Sequence, residues 1–221
     1  MSKVVPVLCL WSLLWISSFS LGRWHEASFA TPQAHRTRID VMLDLLGESR
    51  TLFARYLWFV AENYHEMFER QGAIEFKQKD VIPLYRMIAH LDPKMDEAFD
   101  ILATDMFFGY AEVEKALSVV EEGLAYNPKS YQLTYRKAFI LDREKRHAES
   151  IAPALQALAI ARHDFDAMDC CRILIRSYEH DKKWAEALRY LDLWISLNPS
   201  DITPSNAKKD LLKAQELDGK P

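Results

Sequence analysis

Apolar residues recur every three or four positions along most of this chain, the spacing that places them on one face of an α-helix. The pattern is clearest in residues 168–201, where two such faces are separated by the polar turn His180-Asp181-Lys182-Lys183. The first face and then the second face carry these residues: Cys171, Leu174, Ile175 and Tyr178, followed by Ala187, Leu191 and Trp194. The spacing predicts a pair of helices that pack against each other.

Three short phrases divide the helical pattern into units. They are Leu91-Asp92-Pro93, Tyr126-Asn127-Pro128 and Leu197-Asn198-Pro199. The first two prolines are 35 residues apart and the last two are 71 apart, about two further units of the same length. A period of roughly 34 residues with a proline at the end of the unit is typical of stacked helix–turn–helix repeats.

The unit at residues 168–201 resembles the tetratricopeptide repeat. That repeat has a large–Leu–small–aromatic first helix, an Ala–aromatic–Ala second helix and a closing proline. The aromatic, the alanine and the proline match at Tyr178, Ala187 and Pro199. Departures from the repeat occur where Trp, Gly and Ala are usual: Cys171, Ile175 and Trp194. The last two place bulk where the helices should approach closely, so we expect the local packing to differ from that of the consensus repeat.

Two further units extend the pattern toward the N-terminus. In residues 97–130, Phe107 takes the aromatic place, Ala116 is the small residue of the second helix and Pro128 closes the unit. The unit from Tyr131 is weaker, because it lacks a closing proline and gains about three residues around 162–166.

Two prolines near helix starts fit the same scheme. With Ser150 as N-cap, Pro153 would fall in the first turn of a helix, where its missing N–H costs little. The same interpretation applies to Asp80 and Pro83. In the weaker unit, Lys137 stands where leucine is expected.

The fold class predicted is therefore all-α, an α-solenoid of tetratricopeptide-like repeats preceded by an N-terminal hydrophobic helix. The expected organisation is as follows: signal anchor or signal peptide (1–22), linker (23–37), divergent N-terminal helices and a partial repeat (38–96), three repeats (97–203), capping helix and tail (204–221). Within the divergent part, we expect a short helix at residues 38–46 that stops at Gly47 and a long aromatic helix at residues 49–71. The cap is expected at residues 205–217, with a narrow apolar stripe at Leu211, Leu212 and Leu217.

Residues 4–21 are almost uncharged and follow Lys3. Residues 4–16 fit the apolar core of a secretory signal, while the whole run just reaches the length of a membrane span and ends at Arg23-Trp24. We favour a retained membrane anchor with the repeats on the extracytoplasmic side. The alternative is a secreted or periplasmic protein after signal cleavage.

Composition narrows the functional classes. A net charge of −4 and a pI near 6.0 give no electrostatic footprint for nucleic acid. The six glycines are not grouped as a phosphate-binding loop, so no nucleotide cofactor is predicted. Cys9 lies in the leader, and Cys170 and Cys171 are adjacent on a predicted helix. Cys171 fits a core position of the repeat and is expected to be a buried thiol, with redox or metal chemistry as the alternative.

Residues 65–69 (HEMFE) come close to the zinc-metalloprotease helix motif. That chemistry needs a second ligand at the fifth place and a third elsewhere, and the aromatic neighbours favour packing. No metal site, cofactor or catalytic set is therefore expected, and an enzyme is not the predicted class.

The resemblance implies a binding groove lined by the first helices of the repeats. Carried onto this chain, the inward-facing places are Ile101, Asp105 and Phe108, then Gln132, Tyr135, Phe139, Asp142 and Arg143, then Asp169, Arg172, Arg176, Glu179 and His180. Arginines beside aromatic residues are typical of interface hot spots. The alternative for Arg172 and Arg176 is that they pair with nearby acids on a solvated face.

The function predicted is a non-catalytic scaffold or adaptor, tethered at a membrane through residues 4–21, that binds a peptide or helix of another protein in this groove. The alternative is a structural or assembly subunit of a larger membrane complex. That subunit would dock through the aromatic helix, with Trp58, Tyr64 and Phe68 as a second docking face, although these residues also fit a core role.

Overall fold

The computed structural model describes Gly47, residues 49–70 (side chains as far as Asn63) and residues 81–218. The leader, the linker, the helix expected at 38–46, Asp80, and the side chains of Tyr64, His65 and Phe68 lie outside that description. By backbone proximity the chain divides into units Met1–Phe53 and Ala54–Pro221. In the first unit, Gly47 has the left-handed φ of 51° that suits a helix stop.

Nine α-helices and one π-helical segment occur within the described residues. They are α1 (Ser49–Arg70), α2 (Ile82–Leu91), α3 (Asp96–Thr104), the π segment (Asp105–Gly109), α4 (Val113–Tyr126), α5 (Tyr131–Arg143), α6 (His147–Ile160), α7 (Asp164–His180), α8 (Trp184–Leu197) and α9 (Ile202–Asp218). The long aromatic helix, the three predicted hairpins and the capping helix are all present. The predicted all-α solenoid is confirmed.

The helices of the three hairpins pack as two layers. The first helices α3, α5 and α7 contact one another in order, and each also contacts the second helix of its own hairpin: α4, α6 or α8. Helix α4 then contacts α5, and α6 contacts α7, which joins each hairpin to the next. Helix α2 packs on α3 as the second helix of a preceding unit, and α9 packs on α8.

Each hairpin turns through a residue in the left-handed region. Ala111, Lys145 and Lys182 have φ of 54°, 60° and 56° and lie 34 and 37 residues apart, as the repeat register requires. None of them is glycine. Each therefore holds a left-handed backbone conformation that costs a residue with a Cβ roughly 1 kcal/mol or more.

A one-residue insertion distinguishes the first hairpin. In the second and third hairpins a backbone bond returns five residues, from Arg146 N–H to Leu141 C=O and from Lys183 N–H to Tyr178 C=O, both 2.8 Å. In the first it returns six, from Glu112 N–H to Met106 C=O (2.9 Å), across the π-helical segment. Met106 therefore stands in the place predicted for Phe107, and the upstream register shifts by one residue.

The shift explains which residues fill the first core. Phe99, Leu102 and Ala103 are fully buried and supply the large–Leu–small pattern. If the positions of the third unit are counted back from Pro128 in the same way, the large, Leu and small places fall on Asp100, Ala103 and Thr104 instead. π-helical turns are commonly single-residue insertions into α-helices, and they are frequent at functional sites.

The phrases that end the units connect neighbouring repeats. Asn127 follows the last residue of α4, and its side-chain amide donates to the carbonyl of Pro93, 2.8 Å away and 34 residues earlier. The same amide donates to the Gly123 carbonyl at 3.2 Å, and so provides a hydrogen bond to a carbonyl in the last turn of α4. The closing phrase thus ends a helix and ties one repeat to the one before.

The second hairpin departs from prediction at its second helix. Helix α6 begins at His147, so Pro153 lies inside it rather than in its first turn. Ser150 is not an N-cap; its buried hydroxyl donates to the His147 carbonyl and lies 2.8 Å from the Ser177 hydroxyl of α7. Pro83, by contrast, does lie in the first turn of α2.

Three other details of the prediction are resolved. Among the extra residues near 162–166, Arg162 and His163 belong to the connection after α6, and the residues from Asp164 onward begin α7. Lys137, in a leucine place, pairs with Glu121 of α4. In α9, Pro204 and Leu211 are buried, whereas Leu212 and Leu217 are exposed, so the predicted stripe is narrower than expected.

The third hairpin accommodates its unusual residues within its core. Cys171, Ile175 and Leu191 form a buried cluster, with Trp194 packed against its edge. Leu174 is fully buried, and Tyr178 stacks on Tyr190 of α8 with ring centroids 5.7 Å apart. The core face predicted for α7 is confirmed.

Among the helices that the structure describes, none combines the length and the apolar character needed to cross a membrane.

Gly123→Ala should lower the free energy of unfolding by about 1–3 kcal/mol. An added Cβ would lie 2.8 Å from both Phe99 Cγ and Leu133 Cδ1, two fully buried side chains. Ser118→Ala, on the exposed side of the same helix, is the control and should be near neutral. Urea unfolding followed by circular dichroism measures both. Replacing glycine by alanine inside a helix ordinarily raises stability. A Gly123→Ala variant more stable than the wild type would therefore contradict this close packing.

Candidate functional site

A ladder of aromatic rings runs along the first-helix layer. Tyr131 stacks on Tyr135 at 5.8 Å, and Tyr135 contacts Phe139 at 6.0 Å. Phe139 then meets Phe107 and Phe108 of the π segment at 6.5 and 6.0 Å. The side of the layer that carries this ladder is called the groove face here. Burial raises the pKa of Tyr135 to about 12, so its hydroxyl stays protonated at neutral pH.

The ladder ends at a shallow cavity beside the first turn. The cavity has a volume of about 280 Å³ and is lined by Phe107, Phe108, Ala111, Arg143 and Glu144. Phe108 is 56% exposed, which is high for a side chain of its size. The Arg143 guanidinium lies over the Phe139 ring, 5.8 Å from its centroid. An accessible aromatic surface therefore adjoins an exposed cation.

Equivalent residues make different contacts at the next junction. Where Phe108 of the first repeat meets Phe139 of the second, Asp142 of the second repeat meets Arg176 of the third and forms an ion pair. The Asp142 side chain is only 1% exposed, while that of Arg176 is 51% exposed. This junction is joined by charge, and the earlier one by aromatic rings.

Two histidines complete the charged junction. His147 is buried, and its Nδ1 lies 3.4 Å from Asp142 Oδ1, with no other partner for either atom in the described structure. The His180 ring lies against His147, centroids 4.6 Å apart. Burial raises the pKa of the Asp142 carboxyl, while Arg176 and then His147 act in the opposite direction.

Arg172 is also engaged within the protein. It pairs with Asp169 at 2.9 Å, and its guanidinium lies over Trp194 of α8 at 5.2 Å. Both arginines that the sequence offered as ligand contacts therefore have partners in the fold. Both arginines pair with nearby acids, which is the alternative that the sequence left open.

The other predicted groove residues are distributed unevenly. Phe108, Tyr135, Phe139 and Arg143 are brought together, and His180 lies at the charged junction. Ile101 and Asp105 are half-buried on α3 and the π segment. Because of the register shift, Asp100 rather than Ile101 reaches α5, where it accepts two bonds from Arg136 at 2.7 and 2.9 Å.

Some residues of this surface were missed by the sequence interpretation. Phe107, Ala111 and Glu144 line the cavity, although Phe107 was assigned to the core. The signal was present upstream: Phe99, Leu102 and Ala103 match the large–Leu–small pattern one residue earlier than the register set by Pro128. That mismatch indicates an inserted residue between them and the turn.

The second predicted docking face is seen only in part. Trp58 of α1 is half-buried and packs edge-on against Tyr85 of α2, with centroids 5.8 Å apart. Ala54 and Ala61 are fully buried on the same side, whereas Tyr56, Phe59 and Val60 are exposed. The helix therefore has a packed face and an exposed apolar face.

The two cysteines of α7 are structural. Cys170 and Cys171 are free thiols and fully buried, and burial of Cys171 is the one that the sequence predicts. Burial raises the pKa of Cys170 to about 12 and that of Cys171 to about 11, so neither forms a reactive thiolate at neutral pH. Within the described residues, no group of three or more His, Cys, Asp or Glu side chains is placed to hold a metal ion.

Several solved structures share this fold. A MamA RS-1 ArsTM double mutant matches at a TM-score of 0.60 and 14% identity, over 74% of this chain and 85% of that one. MamA residues 41 to the end from Desulfovibrio magneticus RS-1 match at 0.58 and 15%, over 77% and 88%. YrrB, a TPR protein with an unusual peptide-binding site, matches at 0.50 and 15%, over 76% and 88%. No protein-family model and no curated protein sequence matches the chain.

Arg176→Ala should lower the free energy of unfolding by about 1–3 kcal/mol, because it leaves the buried Asp142 carboxylate without its guanidinium. Arg172→Ala is the matched control: it removes an ion pair within one helix that contributes about 1 kcal/mol or less, together with a contact to the Trp194 ring, and leaves no fully buried carboxylate behind. Urea unfolding of both variants gives the comparison. Equal losses would show that the Asp142 pair carries no special weight.

A second substitution separates charge from packing. Asp142→Asn combined with Arg176→Ala should recover most of the lost stability, because the buried charge is gone. A raised pKa means that the folded protein holds this proton more tightly than the unfolded chain. The resulting stability is present at low pH and is lost as pH rises through the folded pKa. Asp142→Asn alone should therefore lose less stability than the wild type as the pH rises above about 4, the ordinary pKa of an aspartate; identical pH slopes would oppose this.

Proposed function

We propose that this chain, which has the fold of the tetratricopeptide-repeat proteins, is a non-catalytic interaction scaffold tethered at a membrane on its extracytoplasmic side. Its groove face binds a peptide or a helix of another protein. The exposed ring of Phe108, which contacts the half-buried Phe139 and has Arg143 and a cavity beside it, is the observation that carries the proposal.

The composition of that surface supports binding. Aromatic and arginine side chains provide most of the free energy in protein interfaces when they sit together in a small, partly enclosed patch. The rings of the ladder are already held by their neighbours, so little side-chain entropy is lost when a partner covers them. The peptide-binding site named for YrrB, a protein of the same fold, also supports a groove of this kind.

The membrane part of the proposal is supported by residues 4–21 and the Arg23-Trp24 boundary. A tether would hold the groove near its partners and raise their effective concentration, so that modest contacts give useful occupancy. The alternative is secretion, or release into the periplasm, after cleavage of the same segment.

A second candidate function is supported by α1. Tyr56, Phe59 and Val60 form an exposed apolar stripe at helical spacing, opposite the buried Ala54 and Ala61. Such a stripe fits a structural or assembly subunit that docks through this helix. In that case the groove face would be secondary.

Site-specific photo-crosslinking of the full chain in its native membranes tests the two candidates. A photoreactive phenylalanine analogue at Phe108 should capture a partner protein, and the same analogue at Ser118, on the exposed side of α4, is the control. Capture at Phe59 but not at Phe108 would replace the scaffold with the assembly-subunit function. Capture at neither position would oppose both.

Membrane extraction tests the tether. The full chain should stay in the membrane pellet through high-salt and carbonate washes, and its intact mass should include residues 1–21, because an uncharged run of this length partitions into the bilayer. A soluble product that begins near residue 21, 23 or 31 would indicate a cleaved signal instead.

A further inference from the structure

Arg143 differs from the other arginines of the first-helix layer. Arg136 pairs with Asp100, Arg172 with Asp169 and Arg176 with Asp142. Arg143 is exposed, and within the described residues no carboxylate forms an ion pair with it; its close contact is the Phe139 ring. A cation that lies over an aromatic face keeps its outer N–H donors available to a ligand.

The cavity beside Arg143 is open to solvent and has a mixed lining. Phe107, Phe108 and Ala111 supply its apolar part, and Arg143 and Glu144 supply its charged part. Its volume of about 280 Å³ is enough for one large aliphatic or aromatic side chain, whose complete burial would gain about 1.5–3 kcal/mol of transfer free energy. A cavity that combines apolar side chains with one available cation therefore selects for two adjacent chemical features.

Glu144 is the second charged residue of the cavity lining. It lines the cavity together with Arg143 and is exposed. A ligand carboxylate close to Glu144 would be repelled, whereas one on the Arg143 side would be attracted. The two charges thus fix the orientation as well as the sign of an incoming acidic group.

We propose that the segment docked on the groove face places a large apolar side chain in the cavity between Phe107, Phe108 and Ala111 and a neighbouring carboxylate on Arg143. This inference rests on the proposed function and adds the chemistry of the partner. It moves the acid-binding contact from Arg172 and Arg176, which the fold already occupies, to Arg143.

A phage-displayed library of random twelve-residue peptides is the probe. Selection on the full chain in detergent should enrich peptides with Asp or Glu next to a large apolar residue. Selection on Arg143→Glu should enrich Lys or Arg at that place, because the sign of the contact is reversed. Arg162→Glu, at an exposed position between α6 and α7, is the matched control and should select acidic peptides as the wild type does.

Direct binding of one enriched peptide gives the size of the effect. Asp→Asn in the peptide, or Arg143→Gln in the protein, should each weaken the affinity about tenfold, and the two together should weaken it little further. Phe108→Ala should weaken the same peptide, and circular dichroism should show that all variants remain folded. Added salt should weaken the wild-type complex more than the Arg143→Gln complex.

Three outcomes overturn the proposal: no enrichment on the wild type, enrichment without an acidic residue, or the same acidic peptides on Arg143→Glu. Photo-crosslinking at Phe108 distinguishes these from a failure of the scaffold function. A partner captured there, together with peptides that ignore Arg143, would keep the groove and reject its acid preference.

Discussion

A buried carboxylate has to be compensated, and this requirement organises the junction between the second and third repeats. Asp142 has almost no contact with solvent, so taking it out of water is unfavourable unless a cation meets it. Arg176 of the next first helix supplies that cation, and His147 lies against the second carboxylate oxygen. The pair cannot form unless α5 and α7 lie side by side in one register. The charge of Asp142 therefore favours one alignment of α5 with α7, whereas apolar contacts alone would distinguish less sharply between alignments.

The same structural relationship is used differently one repeat earlier. There Phe108 and Phe139 replace the ion pair, and their contact leaves aromatic surface open to solvent instead of burying charge. Because the π segment adds one residue to the first hairpin, two phenylalanines rather than one reach this surface. The N-terminal part of the first-helix layer is thus suited to a ligand, while the C-terminal part satisfies its own charges.

Much of the architecture followed from the sequence because repeats constrain it several times over. The closing phrases ending in Pro93, Pro128 and Pro199 fixed the period, and the faces around Leu174 and Ala187 fixed the helix pairing. The π insertion did not follow, because a one-residue change of register keeps the same kind of residues on a helix face. The pairing of Arg172 and Arg176 did not follow either, since ion pairs depend on distances between helices that spacing alone does not give. Arg143, which forms no ion pair with any residue that the structure describes, kept the exposed place that the resemblance implied.

The three turns with left-handed, non-glycine residues have a consequence for motion. Ala111, Lys145 and Lys182 each hold a backbone conformation that an unfolded chain would leave at once, so strain is stored at the same point of every hairpin. In a stacked array, each unit is stabilised chiefly by its neighbours, and the units can open separately. Release of strain at one turn would then favour opening of that hairpin alone while the others stay folded. Thermal fluctuations of this chain should accordingly come in steps of one hairpin. The first and third hairpins, which pack on the single helices α2 and α9 at their outer sides instead of on another hairpin, should open before the central one.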